Sequence, residues 1–583
     1  MGTISDKLMR IINTKEDIRR ALISKGYDVP TSIPFKEYAK MILDLPCNAD
    51  SFPDIEGIVA RYSALGLTNE QMAENPVWKD LTGNGHDLQM KNFAWKGMSG
   101  VGGYTENYDS NRWYKVASRI DTTWTYKSFN VKSIKDNNSA QLFYQSLSSN
   151  TGFRVLSCTI KVSGLTDGQG IEYVSNGTQQ FVIMRIENDG IYHLPSFDFG
   201  AKNAYYGFRF LKLQESCNIT IEQLPLYLGS LVFDGVDDYG VCDNFPILTK
   251  EKGYTVVALR QWITYNPNAI SAIATNASDQ SFNGAFTFEN YNKGAEQTIS
   301  YGATQISLQY SKSPFSWQTT SKYNGFNIAN GNKDATNSLV LGRSYPQRNE
   351  FANFAIWELV FLDHDATEEE LTKIKDYFVK TYPWLFPDQA WTVVGKTNED
   401  EDRATIANIT GNGNDLVLSN FGFAEGSGYN EEGEYAGYLV TDGVDDKIIS
   451  SIFKMGNDWT VIGDWELINT GKNDNAGIVK FDSIVIYNYN SVLINIKNGG
   501  NILIPDQNTV NAICSDGRIY SKDWKKSIYN EETESTSKNF LTIGYSGNVY
   551  TKIAFKNLAI YPTVLSREDC IKAYNYLQTL KAK

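Results

Sequence analysis

The sequence predicts a mainly β protein assembled from sandwiches, with a small helical segment at its N-terminus. Three observations predict it. Aromatic residues make up 13 % of the 583-residue chain, and flat rings pack well on pleated surfaces. Apolar and polar residues alternate through many short segments, which is the period of a half-buried strand. Two sets of motifs recur in one order, marking two copies of a single β-rich unit.

The chain is too long for one core, so several domains are expected. Its net charge of −13, with no basic run, argues against nucleic acid as a partner, since phosphate binding needs concentrated Lys and Arg. No apolar stretch reaches the roughly 18 residues that span a bilayer, so no membrane is expected either. The start, "MGTISDKLMRIINTKEDIRR", has no apolar h-region and does not read as a secretory signal. Gly2 invites a myristoylation reading, but Asp6 stands where Ser or Thr is needed. Six scattered cysteines (Cys47, Cys158, Cys217, Cys242, Cys514, Cys570) and three distant histidines (His86, His193, His364) give no zinc spacing. Buried free thiols are the simpler reading.

Residues 1–50 read as a helical attachment segment. "TKEDIRRALISKGYDVP" suggests a helix capped at Thr14 and ended at Gly26, and "PFKEYAKMILDLP" one opened by Pro34 and closed before Pro46. Two such short helices bury too little to stand alone.

The repeat starts after them. "DLTGNGHDLQMKNFAW" (80–95) matches "NITGNGNDLVLSNFGF" (408–423) at an offset of 328. The acidic stretches "LVFDGVDDYGV" and "YLVTDGVDDKI" match at an offset of only 208. The first copy therefore holds about 120 additional residues between the two motifs, the size of a small domain. Those residues alternate as strands: Cys158, Ile160 and Val162; Cys217, Ile219 and Ile221; Tyr206, Phe208 and Phe210. Asn188-Asp189-Gly190 reads as a hairpin turn between two of them. The expected organisation is a first sandwich from 51–105 and 229–390, an inserted β-sandwich at 106–228, and a second sandwich at 391–583.

Each copy closes with a helix. Thr367 with Glu370, and Ser566 with Asp569, read as capping boxes. Leu371, Ile374 and Phe378, then Cys570, Tyr574 and Leu577, form one-sided apolar stripes that should lie on a sheet edge. "YPWLFPD" (382–388) breaks the first helix and links to the second copy.

The acidic stretches read first as strand, tight turn, strand, because Asp-Gly between alternating apolar flanks is a hairpin signal. Their carboxylates, Asp234, Asp237 and Asp238 in the first copy and Asp442, Asp445 and Asp446 in the second, are also candidate metal ligands, and calcium is the ion that clustered oxygens suit. Asp and Gly dominate tight turns without any metal, and calcium takes six to eight ligands. The structural reading ranks above the metal, and no cofactor is required. Gly83, Gly85, Gly411 and Gly413 of the "TGNG" segments most simply supply positive φ.

The order "TGNGHDL…LVFDGVDDYGV…AIWELVF…TEEELTKIKDYF" resembles the laminin-G-like, concanavalin A-like jelly roll. In that family a "sGNGndl" segment, a "fDGvDDyv" hairpin and a closing short helix recur in this sequence. The resemblance covers both copies, about two thirds of the chain, with one departure: Trp78 of the first copy is Ile406 in the second. The N-terminal "INTKEDIRRALISKGYDVPTSIPFKEYAKMI" resembles the start of virion appendage proteins of tailed phages, especially crAss-like and other phages of gut Bacteroidetes. The insert resembles small β-sandwich modules of those appendages. This implies a head or tail fibre, assembled in the bacterial cytoplasm as a homo-oligomer and held to other virion proteins through its N-terminal helices. Its sandwiches would then face host-surface polysaccharide.

Jelly-roll lectins hold sugar on an aromatic platform with polar neighbours. "NRWYKVASRIDTTWTYKS" offers Trp113, Tyr114, Trp124 and Tyr126 for that role, since ring faces suit the C–H face of a pyranose. The simpler reading of these rings is sandwich core. Catalysis has less to rest on. Glucanases of this fold carry carboxylates alternating along one strand, and no E-x-D-x-E run, nucleophile elbow or P-loop occurs here. The expectation is a non-enzymatic fibre that attaches to glycans. Its rivals are a polysaccharide-degrading tailspike and a bacterial surface lectin.

Overall fold

The computed structural model describes Lys15 and most of the chain from Phe52 to Ala582. Outside the description lie the rest of 1–51, the stretches 117–119, 134–140, 147–152, 176–181, 200–204, 249–252, 265–270, 278–286, 291–304, 311–334, 344–348, 432–434, 469–475, 489–491, 497–500, 505–509 and 529–537, and a few single or paired positions. The two expected N-terminal helices, apart from helical Lys15, therefore lie outside the described residues, as do Cys47 and Gly411. Among the described residues no helix is long and apolar enough to cross a membrane.

Two compact units are present: Met1–Glu56 with Glu368–Tyr382, and Gly57–Thr367 with Pro383–Lys583. In the first, the helix Glu368–Thr381 starts directly after Thr367 and buries Ile374 and Phe378. Tyr377 takes the edge of Phe52 at 5.0 Å. The sequence reading placed this helix on the edge of the first sandwich; the structure groups it with the segment that precedes that sandwich. The contact of Tyr377 with Phe52 is one that the periodicity of the helix alone does not reveal.

The second unit is mainly strand, and every strand pairing among the described residues is antiparallel. Strands from both sides of the insert share two sheets. One runs Gln305–Tyr310, Thr255–Thr264, Asn353–Leu362, Leu231–Asp234, Gly100–Val101, with Ile58–Ser63 also on Asn353–Leu362. The other runs Val77–Trp78, Leu88–Lys91, Tyr239–Cys242, Ala335–Leu341, Ser271–Ala277, Thr287–Asn290. Trp78, Leu88, Phe233, Trp262, Phe354 and Phe361 fill the core between them. The second repeat is built likewise around Trp391, Trp459, Trp465, Phe555 and Ile560, its two sheets centred on Ile553–Tyr561 and Leu541–Ile543.

The insert has its own two five-stranded sheets and its own core. Cys158, Ile160, Val162, Ile219, Ile221, Tyr206, Phe208 and Phe210 all point into it, as a period of two requires when one face of a strand is buried. Five cysteines, Cys158, Cys217, Cys242, Cys514 and Cys570, are buried free thiols.

The second closing helix, Arg567–Leu577, has Ser566 at its N-cap, the hydroxyl accepting the Asp569 amide at 3.0 Å. The return arm of the expected capping box goes elsewhere, because the Asp569 carboxylate accepts the Ser566 hydroxyl at 2.8 Å. Cys570, Tyr574 and Leu577 are buried, and the helix packs over the strands Thr460–Leu467 and Ile553–Tyr561.

Three turns read as hairpins from the sequence are crossings between sheets. Leu231–Asp234 pairs with Asn353–Leu362 and Gly100–Val101, whereas Tyr239–Cys242 pairs with Leu88–Lys91 and Ala335–Leu341. The second copy does the same with Leu439–Val440 and Lys447–Ser450. In the insert, Val182–Ile186 and Gly190–Leu194 likewise lie in different sheets. The Asp189 carboxylate there accepts the amides of Gly164 and Leu165 at 2.9 and 2.8 Å, tying the turn to a neighbouring loop. Turn chemistry marks where the chain bends; the strand that each arm then meets decides between hairpin and corner.

Candidate functional site

The acidic stretches form these corners, and their carboxylates bond the corners shut. Asp234 Oδ1 accepts the amides of Val236 at 2.7 Å and Asp237 at 3.3 Å. Asp238, fully buried, accepts the Asp234 amide on Oδ2 at 3.0 Å and the Ser99 hydroxyl on Oδ1 at 2.9 Å. Ser99 in turn accepts the Ala94 amide at 2.8 Å, and Asn92 donates to the Asp237 carbonyl at 3.0 Å. Gly235, at φ +75°, has no room for a side chain: an added Cβ would lie 2.7 Å from that of Asn353.

The second corner repeats this bond for bond. Asp442 Oδ1 accepts the amides of Val444 at 2.7 Å and Asp445 at 3.2 Å, and Asp446 Oδ2 accepts the Asp442 amide at 2.7 Å. Ser427 donates to Asp446 Oδ1 at 3.1 Å, Gly422 donates to Ser427 at 2.8 Å, and Asn420 donates to the Asp445 carbonyl at 3.0 Å. Asn92 and Asn420, with φ +67° and +69°, occupy the left-handed region in both copies, which Asn tolerates better than most residues.

A second shared device locks the neighbouring loop. Asn69 holds the backbone of Val101 at both ends, accepting its amide at 2.7 Å and donating to its carbonyl at 3.1 Å. Asn398 does the same to Tyr429, at 2.9 and 2.8 Å. In the "TGNG" segments Asp80 accepts the amides of Arg61 and Thr82 at 3.1 and 3.0 Å, and Asn408 those of Ala390 and Thr410 at 3.2 and 3.0 Å. Gly83, Gly85 and Gly413 take positive φ. The sequence reading singled out neither the asparagine clamps nor the serines. Ser99 and Ser427 share the 328 offset, and Asn69 and Asn398 sit in the matching "TNE" triplets, so the signal was present, although nothing local says what those side chains hold.

The exchange of Trp78 for Ile406 is compensated. In the first copy Trp78 donates to the Ser63 carbonyl at 2.7 Å and packs against Tyr62, whose hydroxyl reaches the carbonyl of His86. In the second copy Trp391 stands in the place of Tyr62 and donates to the Asn414 carbonyl, the counterpart of His86, at 2.9 Å. The large ring has moved one strand across, and the core stays filled.

Each corner brings carboxylate oxygens of three aspartates within 4.8 Å of one another. The fit to calcium is poor. That ion needs six to eight oxygens, whereas the Asp234, Asp238, Asp442 and Asp446 carboxylates already accept protein donors. Burial also raises Asp238 to about 7 and Asp446 to about 6, against the pull of the Asp234 and Asp442 amides. Adding calcium or chelating it is expected to leave the melting temperature unchanged; a rise with calcium, read by calorimetry, would restore the metal reading.

The four aromatic candidates do not form one platform. Trp113 lies in the insert core, edge-on to Tyr108 at 5.1 Å and Tyr206 at 5.6 Å, so no sugar can reach it. Its neighbour Tyr114 points the opposite way and is exposed. Trp124 packs against Phe129 at 5.0 Å. Tyr126 accepts the Asn69 side-chain amide at 3.1 Å and meets Tyr104 edge-on at 5.4 Å, which joins the insert to the first sandwich. Alternation along a strand separates adjacent rings, a consequence their closeness in sequence conceals.

No protein-family model and no curated protein matches the sequence. Among solved structures, a Trypanosoma rangeli sialidase is similar at 7 % identity and TM-score 0.25, covering 38 % of this chain and 40 % of the sialidase. The chain thus spans about two fifths of that protein's length. A truncated AlyQ with CBM32 and alginate lyase domains is similar at 10 % identity and TM-score 0.15, over 57 % of this chain and 91 % of the other. The CBM22-1–CBM22-2 tandem of Paenibacillus barcinonensis Xyn10C is similar at 8 % identity and TM-score 0.15, over 46 % and 99 %. Overlaps this slight carry no functional argument.

Proposed function

We propose that the chain is a non-enzymatic display protein of a phage virion, whose β-sandwiches bind carbohydrate. The observation that carries this reading is one hydrogen-bonded corner built twice. The polar residues that the two repeats share most closely accept and donate within the fold, so the repeat propagates a scaffold rather than a catalytic centre. A stiff scaffold repeated along a chain suits weak contacts made many times, and linked sites gain avidity without any new contact. The virion part rests on the resemblance of residues 12–42 to phage appendage proteins. The buried, amide-bonded aspartates are poorly placed to protonate a glycosidic oxygen, which favours binding over cleavage.

The full chain should be retained on immobilised polysaccharide and should release no reducing sugar from it. Steady release of reducing ends, abolished by one carboxylate substitution, would replace this reading with the tailspike enzyme. Antibody labelling of purified particles tests the virion part, and particles that carry no label would end it.

A further inference from the structure

At two equivalent positions the second repeat carries cysteine and the first does not. In both repeats a threonine hydroxyl ties a central strand to the turn that leads into the closing helix. Thr255 donates to the His364 carbonyl and accepts the Ala366 amide, both at 2.8 Å. Thr460 treats the Thr563 carbonyl and the Leu565 amide alike, both at 2.9 Å. On the neighbouring strand, Thr255 pairs with Tyr310 and Thr460 with Cys514. Near the start of the closing helix, Leu371 of the first repeat becomes Cys570 in the second, at the offset of 199 that also relates Thr563 to His364. The two cysteines occur together in one copy and are both replaced in the other.

The fold brings them together. Cys514 ends the strand Val510–Cys514, and its sulfur lies 3.7 Å from the Thr460 hydroxyl. Cys570 reaches the Leu565 carbonyl at 3.9 Å, on the residue whose amide Thr460 accepts. Arg518 donates to the same carbonyl at 2.9 Å. Within this cluster the two thiols hydrogen-bond to each other. That bond holds the Cys514 thiol below the ordinary cysteine range; burial opposes it, while the Thr460 hydroxyl and the Arg518 guanidinium add to it. The same bond pushes Cys570 up. One sulfur is thus prepared as a nucleophile, and its partner keeps its proton.

We propose that Cys514 and Cys570 are an oxidisable pair that closes to a disulfide, pinning the closing helix of the second sandwich to its sheet. Hydrogen peroxide is the oxidant. The Cys514 thiolate takes one peroxide oxygen and becomes a sulfenic acid, releasing hydroxide. The Cys570 sulfur then attacks that sulfenic acid, the S–S bond forms and water leaves. Two thiols are oxidised, one peroxide is reduced, and both thiol protons end in the two waters formed. Both cysteines are fully buried, so the reaction waits on opening of the helix start, where helices fray first. The pair owes nothing to the carbohydrate reading, and its test leaves that reading untouched.

The test exposes the full chain to hydrogen peroxide, with and without urea kept below the unfolding transition. The chain is then unfolded in iodoacetamide, weighed and mapped by peptide mass spectrometry. Four of the six cysteines should remain alkylatable, and one peptide pair should be joined through Cys514 and Cys570. Urea should speed the reaction, because it favours the opened helix. Oxidation should raise the melting temperature of the second sandwich by about 5–10 °C, and dithiothreitol should reverse the rise. In Cys570→Ser the Cys514 sulfur should stop at the sulfenic acid, which dimedone traps; in Cys514→Ser the Cys570 sulfur should stay a thiol. Both cysteines still alkylated in the natural chain after peroxide in urea would overturn the proposal. A bond from either one to another cysteine would do the same, as would oxidation of Cys514 to a sulfinic acid in place of the bond.

Discussion

Replacing Gly100 with alanine is expected to remove about 3–5 kcal/mol from the first sandwich, a large share of what holds a domain together. Two costs add. Gly100 has φ +143°, a backbone region that L side chains rarely adopt, and an added Cβ would lie 2.3 Å from Asn69 Oδ1 and 3.0 Å from the Trp95 Cα. Asn69 cannot swing aside cheaply, because it is buried and bonded to both backbone groups of Val101. Displacing it would leave a buried amide and carbonyl without partners, a further 1–3 kcal/mol or so. Gly428 tests the generality of this account, since its added Cβ would meet Asn398 Oδ1 at 2.5 Å and the Phe423 Cα at 2.8 Å. Urea denaturation measures both variants. A loss under about 1 kcal/mol at either glycine would show that the asparagine clamp does not hold the loop.

Asp238→Asn is expected to stabilise the protein at pH 8 by about 1–4 kcal/mol and to change little at pH 4. Burial raises this carboxyl from the ordinary 3.8 to about 7 in the folded chain, so the native state holds the proton more tightly than the unfolded state does. The stability this supplies is complete below the unfolded value near 4. It falls as pH rises towards 7, where the folded group also ionises. Asparagine is a neutral substitute: its oxygen can accept the Asp234 amide and its amide can donate to Ser99, while no charge is buried. Asp238→Ala should instead destabilise at every pH, because the Asp234 amide loses its acceptor. Denaturation curves from pH 4 to 8 separate the two accounts. Loss of stability in Asp238→Asn at pH 8 would mean that the charge itself is needed, which is the behaviour of a cation ligand.

Much of the fold was legible because strand alternation is local. Cys158, Ile160 and Val162 announce an inward face without reference to any partner, and so do Tyr206, Phe208 and Phe210. The matching offsets exposed the duplicated motifs and the stretch between them for the same reason: each rests on residue order alone. Three features were not legible. "DGVDD" was read as a hairpin because Asp-Gly specifies a bend, and whether the two arms pair depends on strands about a hundred residues away. Trp113 and Tyr114 were read together because they are adjacent, whereas adjacency on a strand puts them on opposite faces. Asn69 and Asn398 were passed over because a side chain that clamps a backbone segment some thirty residues away leaves no periodic trace.

Residue order by itself determined that this is a β-sandwich chain, that one motif set occurs twice, and where its bends fall, since each follows from backbone preference and the pitch of a strand. Only the tertiary structure decided that the acidic bends are corners between sheets and that their carboxylates serve the backbone. The contact between Cys514 and Cys570 also emerged there. All of these depend on which distant strand lies alongside, and that choice is made by burial of the whole core, not by any short segment.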